Sequence, residues 1–297
     1  MRVFSNLTYG FAGLGLMGGS LAKAIRAKLL NSHGAEGKIL AMDTNAAALA
    51  VAVERDVIDE AFEPEAAAAM LRRCDVVFIC LYPEKTIEFL KKHRSDFKSG
   101  AIVSDISGVK TSIMMSLPDI LREDIDFICG HPMAGSEKEG FYHSSEYIFD
   151  GRNYILTLHS ENKPENVVFF KRLAGALGFS RITETNYALH DHKIAFTSQL
   201  CHVIASALVD SAEDAEITAF GGGSFEDLTR IAMINAPLWT ELFLANRTEL
   251  LAHIDAFKLS LEKITAMIRS ADGDGLCREL EAVRLKRTAM STIELTK

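Results

Sequence analysis

Six residues near the amino terminus decide the fold of this chain, and they read Gly13-Leu14-Gly15-Leu16-Met17-Gly18. The apolar run Tyr9–Ala12 precedes them and predicts the end of a strand, and Gly18–Leu30 follows with the spacing of an amphipathic helix. In a G-x-G-x-x-G of this kind the first glycine makes a tight turn. The second lets a pyrophosphate approach the backbone, and the third lets the helix pack closely on the strand. We therefore predict a dinucleotide site on these residues.

The choice of cofactor depends on Asp43, which follows the predicted strand Lys38–Met42 and stands 25 residues after Gly18. A carboxylate at this point accepts hydrogen bonds from ribose hydroxyls and repels a 2′-phosphate. No arginine stands beside it, so the sequence favours NAD over NADP. Across the crevice, the end of a buried strand is expected to wall the nicotinamide side with Leu81, Tyr82 and Pro83.

The order of the secondary-structure signals predicts the architecture. Short β-branched runs alternate with Ala/Leu-rich helical patterns in the first half, which is typical of a parallel sheet. Further strands are predicted at Asp75–Leu81, Ala101–Asp105, Asp126–Cys129, Tyr154–Leu158 and Ser180–Thr183. After about residue 186 only helical patterns remain, at Leu189–Ala212, Ser224–Asn235, Pro237–Ser270 and Leu276–Thr288. The prediction is an α/β protein with a Rossmann-type doubly wound sheet over 1–185 and an all-α domain over 186–297.

One predicted helix carries a regular apolar stripe: Leu250, Ile254, Phe257, Leu261, Ile264 and Ile268. The spacing of 4, 3, 4, 3 and 4 residues is that of a helix needing a partner along its length. That partner is either another helix of the same domain or a second copy of the chain, and the spacing does not choose between them.

Composition excludes several classes of protein. A net charge of −8 and a pI near 5.6 argue against binding to nucleic acid or an anionic membrane. No apolar run is long enough to span a membrane, and the first residues lack a signal-peptide core. Five cysteines without a C-x-x-C indicate reduced thiols and a cytoplasmic location. His190 and His192 lack further ligands to complete a metal site, so no metal is expected.

The chemical centre is predicted at Gly130–Glu137, GHPMAGSE, which follows a predicted strand. Doubly wound sheets bind ligands at that carboxyl edge. Glycine and proline on either side restrain His131, as suits a general base. The segment Ser104–Lys110 ends another strand at the same edge, and its Ser107 and Lys110 could bond a ligand oxygen or cap a helix.

The helical half supplies further candidates. His202 shares a helix face with serines one turn before and after it, which suits either a substrate site or a hydrogen-bonded core cluster. The run Gly221–Gly223 precedes a helix, so backbone amides around Gly222 could bind an anion. Arg230 offers a bidentate fork for a carboxylate, and Trp239 follows soon after.

Together these segments resemble the prephenate dehydrogenase family of the tyrosine pathway, which includes arogenate and cyclohexadienyl dehydrogenases. Besides the glycine loop and Asp43, the matching motifs are GHPMAGSE at Gly130–Glu137, HDHKIAFTSQLCH at His190–His202, GGGSFEDLTRIA at Gly221–Ala232 and PLWTELFLAN at Pro237–Asn246. One departure is visible. Many members read D-x-(small)-S-x-K, whereas Asp105–Lys110 reads DISGVK, with Gly108 at the usual serine position.

The resemblance implies NAD-dependent oxidative decarboxylation of prephenate to 4-hydroxyphenylpyruvate in L-tyrosine biosynthesis. It also implies a homodimer formed through the C-terminal helices. The residues assigned to catalysis are His131, His202 and Ser107, and those assigned to the substrate are Glu137, Gly222, Arg230 and Trp239. Two other activities stay open. Arogenate dehydrogenase would perform the same chemistry on the amino-acid side chain, and a β-hydroxyacid dehydrogenase would use a lysine such as Lys193.

Overall fold

A six-stranded parallel sheet organises the N-terminal half of the chain, in the order β3-β2-β1-β4-β5-β6. The computed structural model describes residues 3–31 and 34–292, so the outer ends of both predicted domain ranges and positions 32–33 lie outside the described residues. The strands are β1 Thr8–Ala12, β2 Lys38–Met42, β3 Glu60–Phe62, β4 Val76–Ile79, β5 Ile102–Asp105 and β6 Asp126–Phe127. The helices are α1 Leu16–Ile25, α2 Ala46–Glu54, α3 Ala67–Leu71, α4 Pro83–Lys92, α5 Thr111–Ile120 and α6 Pro164–Ala176.

The central strands are continuous apolar runs because helices cover both faces of the sheet. Phe11 and Phe78 stack at 5.4 Å between ring centroids on one face, and Val77 and Ile79 fill the core on the other. The doubly wound prediction is confirmed for this sheet. The three-residue edge strand β3 was not predicted, because most of it is exposed and it carries no apolar pattern.

The chain changes sheets at Ile128, and here the sequence interpretation was wrong. The predicted strand Asp126–Cys129 divides into β6 and a new strand, β7 Cys129–Pro132. A second sheet holds β7 against antiparallel β8 Asn153–Thr157, which pairs in parallel with β9 Arg181–Thr185. Gly130 permits this packing, because a Cβ there would collide with the hydroxyl of Tyr154. His131 therefore lies within a strand, not on a loop.

The remaining described chain is helical. Its elements are α7 Tyr187–Ile194, a π-helical segment Ala195–Gln199, α8 Leu200–Asp210, α9 Gly223–Thr229, α10 Ala236–Ala245, α11 Arg247–Arg269 and α12 Gly273–Thr292. The helix predicted over Ser224–Asn235 ends early, at Thr229, and a 3-10 turn follows it. Asparagine side chains at Asn186 and Asn235 cap α7 and α10 by accepting backbone N–H bonds.

The predicted helix Pro237–Ser270 is broken at Asn246, between α10 and α11. The Asn246 side chain is buried and donates to the Asp191 carbonyl and to Gln199 Oε1, both at 2.8 Å. Gln199 Nε2 in turn donates to the carbonyl of Leu242 at 2.9 Å. A polar side chain satisfied in this way fixes the turn between the two helices, which a hydrophobic pattern does not reveal.

The predicted apolar stripe from Leu250 to Ile268 lies on α11, and we call it the α11 seam; it divides into two parts. Leu250 is buried, and Ile254 and Phe257 pack with it against Ala195 and Leu200. Toward the other end, Leu261 is 51% exposed and Ile268 is 63% exposed. The first part of the seam therefore has its partner within the chain, and the second part leaves an apolar surface open.

Candidate active site

The three glycines of the loop have three different environments. Gly13 has a φ of +97°, and a Cβ there would lie 2.7 Å from the Cys80 carbonyl oxygen. A Cβ on Gly18 would collide with the Gly13 carbonyl oxygen. Around the Cβ position of Gly15, by contrast, no atom of the described residues outside its own stretch of chain lies within 4 Å. The loop thus has a strained turn, a close helix contact and one open face, as the motif predicts.

The open face suits a dinucleotide. Helix α1 begins at Leu16 without a side-chain cap, so its first amides are available to a phosphate. Asp43 lies beside the loop: its Oδ2 accepts from Leu14 N at 2.5 Å and its Oδ1 accepts from Asn45 N at 2.8 Å. The carboxylate remains partly exposed, with lone pairs left for ribose hydroxyls. The residues present therefore fit a dinucleotide.

The far wall of this crevice contacts the helical half. The Leu81 side chain lies 3.2 Å from the Cβ position of Gly13, and Tyr82 and Pro83 begin α4. The next amide, Glu84 N, donates to Glu241 Oε1 of α10 at 2.6 Å. A carboxylate at a helix N-terminus is favoured by the free amides and by the helix dipole.

His131 joins a chain of three polar side chains. Its Nδ1 lies 2.9 Å from Nε2 of His190, whose Nδ1 lies 2.7 Å from Oδ1 of Asp191. His190 and Asp191 are buried, whereas His131 is partly exposed. These three hydrogen-bonded side chains connect α7 of the helical half with β7 of the N-terminal half. Nδ1 of His131 therefore belongs to this network, and Nε2 lies on the opposite edge of the ring, outside the network.

The network determines where the protons lie. Burial raises the pKa of Asp191, but hydrogen bonds from His190 and Thr111 outweigh this and leave it below its usual value, so the group is an acceptor. His190 must then donate from Nδ1 and accept at Nε2, which requires His131 to donate from Nδ1. Burial, with His190 and Lys110 nearby, holds the pKa of His131 well below its ordinary value. The assigned state is a neutral His131 with a lone pair on Nε2.

Asp191 also attaches the helical half to the sheet. Its Oδ1 accepts from Lys110 N at 2.9 Å, and its Oδ2 accepts from Thr111 N at 2.8 Å. These amides open α5, so the carboxylate serves as the helix cap. A single side chain thus holds His190, the start of α5 and its own helix in fixed positions.

Lys110 has a different place from the one the sequence suggested. Its side chain is fully buried, and its Nζ donates to Asp105 Oδ2 at 2.6 Å and to the Gly130 carbonyl at 2.5 Å. The ammonium group therefore connects the end of β5 with the start of β7 and is already engaged. A buried ion pair of this kind fixes geometry more than it adds stability.

Ser107 is buried near this pair. Its N–H donates to Asp105 Oδ2 at 2.9 Å, and its hydroxyl accepts from Val109 N at 3.4 Å. Within residues 3–31 and 34–292, no hydrogen bond joins Ser107 to His131. The residue beside the imidazole is Gly108, whose Cβ position lies 3.9 Å from His131 Cε1. The catalytic role of Ser107 stays a prediction.

Helix α10 carries an aromatic residue that contacts a second histidine. Trp239 stacks on His202 with 3.6 Å between ring centroids, and Leu242 of the same helix approaches the Cβ position of Gly108 to 3.4 Å. His202 Nδ1 donates to the Ser198 carbonyl at 2.9 Å, which leaves Nε2 as an acceptor. Burial lowers the pKa of His202, which favours the neutral ring.

The segment after His131 reaches the helical half. Arg230 Nη1 lies 3.5 Å from Glu137 Oε2, and Asn235 Nδ2 donates to Glu139 Oε1 at 2.8 Å. The Arg230 side chain is 57% exposed, so its guanidinium remains accessible. Gly222 is exposed ahead of the seven-residue α9. In the described chain no hydrogen bond connects Gly222 to Arg230 or His131.

Sequence reasoning missed the roles of His190 and Asp191. We considered His190 only as a possible metal ligand together with His192, and the only local signal was a histidine next to an aspartate. The structure places His190 59 positions from His131 in sequence and in hydrogen-bond contact with it.

Other site types receive no support. Among the described residues, no group of three histidine, cysteine, aspartate or glutamate side chains is arranged to hold a metal ion. Across the same residues, no helix has the length and hydropathy of a membrane span. All five cysteines are free thiols.

A glycine loop at the start of a parallel sheet, with a neutral imidazole at the edge of the neighbouring sheet, is typical of a nucleotide-dependent dehydrogenase. The family models agree: "Prephenate dehydrogenase, nucleotide-binding domain" matches residues 26–179, and "Prephenate dehydrogenase, dimerization domain" matches residues 186–282. The chain belongs to the prephenate dehydrogenase family.

Individual proteins show the same likeness. A cyclohexadienyl dehydrogenase of Zymomonas mobilis is 28% identical over 98% of both chains. The structure of an Aquifex aeolicus prephenate dehydrogenase with hydroxyphenyl propionate and NAD+ is 30% identical, with a TM-score of 0.84 over 96% of this chain and 98% of that one. A Synechocystis arogenate dehydrogenase is 25% identical, with a TM-score of 0.78 over 96% of this chain and all of that one.

Two glycine substitutions separate stability from cofactor binding. Gly18→Ala forces a Cβ against backbone, and overpacking of this kind costs about 1–3 kcal/mol, so the melting temperature of the ligand-free protein is expected to fall by several degrees. Gly15→Ala places its Cβ in open space and should leave that temperature unchanged. It should weaken NAD binding roughly tenfold or more, because a hydrogen bond to a charged group is worth about 1.5–3 kcal/mol. Calorimetry measures both, and equal melting temperatures for the two variants would contradict the assignment.

Proposed function

We propose that the chain catalyses the NAD-dependent oxidative decarboxylation of prephenate to 4-hydroxyphenylpyruvate in tyrosine biosynthesis. The observation that carries this proposal is the partly exposed His131 imidazole, whose Nδ1 is occupied by His190. Its Nε2 is left as a base at the edge of the second sheet. Family membership supports the reaction type, and the relative solved with hydroxyphenyl propionate and NAD+ supports a phenolic product beside this cofactor.

In this mechanism His131 accepts one proton and later returns it. Nε2 accepts the proton of the C4 hydroxyl while a hydride leaves C4, and the ring carboxylate departs as CO₂. The Gly13–Gly18 loop and Asp43 would hold NAD, which would supply the hydride acceptor. Because the overall reaction releases no proton, the imidazole returns the proton to the phenolate oxygen as the ring becomes aromatic. General-base catalysis of this kind contributes about 10²–10⁴-fold.

The substrate carries two carboxylates, and the cationic Arg230 is the proposed partner of one of them. The Glu137 carboxylate lies 3.5 Å from the exposed Arg230 guanidinium and forms a long ion pair with it. Because such a pair is weak, a substrate carboxylate can replace Glu137. His202 and Trp239 stack face to face, and we propose that they form a wall for the ring. The Gly222 amide remains a proposed further contact.

Arogenate is the alternative substrate, because it differs from prephenate only in carrying an amine where prephenate has a ketone. Similar proteins of both kinds exist, as the Synechocystis and Aquifex structures illustrate. A β-hydroxyacid dehydrogenase is not favoured. The lysine that it would use, Lys193, is exposed on α7, and no observation links it to the base.

A homodimer is part of the proposal. The matched dimerization domain spans residues 186–282 of the helical half, and the open part of the α11 seam presents Leu261 and Ile268 to solvent in one chain. Apolar surface of this kind is characteristic of association sites. We also propose a cytoplasmic location, which the free cysteines support.

The function is tested by the rise in absorbance of NADH with prephenate and, separately, with arogenate. The wild-type chain is expected to turn over prephenate with the higher kcat/KM. His131→Asn should lower kcat by at least about 100-fold, because it removes the base, while NAD affinity measured by calorimetry stays nearly unchanged. Near-normal turnover in this variant would end the assignment, and a higher kcat/KM with arogenate would shift it to the alternative substrate.

Arg230→Ala should raise KM for prephenate about tenfold and alter kcat much less, because the carboxylate contact exists before the transition state. Glu137→Gln is the matched control. It removes the competing carboxylate and keeps the side-chain size, so KM should stay level or fall. Steady-state kinetics decides, and an unchanged KM in Arg230→Ala would remove the arginine from the site.

The double variant Leu261→Glu, Ile268→Glu should dissociate the dimer, because it places charge on the open part of the α11 seam. Val168→Glu, at an equally exposed apolar position on α6, is the control and should remain dimeric. Light scattering at micromolar concentration distinguishes 32.6 kDa from twice that mass. A monomeric wild-type protein would refute the proposal.

A further inference from the structure

We infer that His190 is the positioning residue of the active-site base: it holds the His131 ring by one hydrogen bond and places the ring proton on Nδ1. Through this hydrogen bond, the helical half of the chain leaves the lone pair of His131 on Nε2, the nitrogen that faces the proposed substrate. For its effect on rate this inference rests on the proposed function, whereas its effect on the imidazole does not.

The first argument is that the described structure gives the His131 ring a single hydrogen bond. The backbone of β7 fixes the Cα position, since His131 lies opposite Ile155 of β8. The ring itself still turns about its side-chain bonds, and His190 Nε2 at 2.9 Å is what holds it. Gly108 beside the ring has no side chain to offer, and the Ser107 hydroxyl is directed to Val109 N.

The second argument concerns the proton. A neutral imidazole carries its proton on either nitrogen, and the partner of one nitrogen decides which. Asp191 accepts from His190, so His190 Nε2 has only a lone pair to present to His131. A base with its proton on Nε2 would face the substrate with an N–H and accept nothing. His190 therefore determines whether His131 is a base at all.

The third argument is electrostatic. Four charged or titratable side chains surround His190: His131 from β7, Lys110 from the start of α5, Asp105 from the end of β5, and Asp191 from its own helix. Lys110 and Asp105 form a buried ion pair and largely offset each other. The Asp191 carboxylate is left to stabilise the positive charge that develops on His131 as it accepts a proton.

The hydrogen bonds that orient His131 also cross the contact between the two halves of the chain. Asp191 is held by the Lys110 and Thr111 amides on one side, and its carbonyl by Asn246 on the other. His190 follows the position of its neighbour because their side chains are bonded at 2.7 Å. The base is therefore in its productive state only where α7 is seated on α5.

The test compares His190→Ala with His192→Ala, both in protein labelled with ¹⁵N in histidine. His192 lies on the same helix and is also bonded to a carboxylate, Glu249 Oε2 at 2.6 Å, which makes it a matched control. The imidazole ¹⁵N shifts of His131, assigned by comparison with His131→Asn, report which nitrogen carries the proton in ligand-free protein. We expect the Nδ1–H form in the wild type and in His192→Ala, and its loss in His190→Ala.

Kinetics with prephenate provide the second readout. His190→Ala should lower kcat about 100-fold, within the range of general-base catalysis, while KM and NAD affinity stay close to wild type. His190→Gln should retain the Nδ1–H form and recover most of the rate, because its carboxamide oxygen can accept the same hydrogen bond. This variant also takes the place of His190→Ala if the alanine protein fails to fold.

The outcomes separate the two proposals. A wild-type protein with its His131 proton on Nε2, or a His190→Ala protein with unchanged tautomer and kcat, overturns the positioning role. If the tautomer changes as expected but neither prephenate nor arogenate is oxidised by the wild type, the proposed function fails and the positioning of His131 stands.

Discussion

The carboxylate of Asp191 is the group on which the rest of the site depends. It accepts hydrogen bonds from two backbone amides at the start of α5 and from the His190 ring, and both the carboxylate and the His190 ring are buried. An unpaired carboxylate in such a place would be costly, so α5, α7 and the imidazole pair are compatible only in one arrangement. The two halves of the chain are thereby joined at the point where the base is oriented.

Local spacing was sufficient to predict the conformation of the glycine loop and the position of Asp43 beside it. Gly13, Gly15 and Gly18 act through their own backbone and the next turn of helix, and Asp43 follows the neighbouring strand of a parallel sheet. Each of these relations spans one βαβ unit, whose geometry is nearly invariant. The order of strands and helices likewise predicted the doubly wound sheet, and the loss of strand signals predicted a helical second half.

Contacts between distant segments could not be predicted in the same way. His190 bonds to His131 because α7 docks on α5, and Asn246 breaks a helix whose apolar pattern continues through it. The division of one predicted strand at Ile128 depends on Tyr154, which packs where Gly130 has no side chain. Each of these features arises from tertiary packing. A pattern along one segment does not reveal which distant residues that segment will contact.

The hydrogen bond from Glu84 N to Glu241 has a consequence for the width of the cleft. Tyr82 and Pro83 immediately precede the donor, and Trp239 lies on the same helix as the acceptor. A bond to an ionised group is worth about 1.5–3 kcal/mol, and less where water reaches it. Separation of these two walls must therefore break this bond, and because the bond is exposed it favours the narrow form by roughly fivefold or less. Entry of a bulky molecule at that edge is coupled to the first turn of α4.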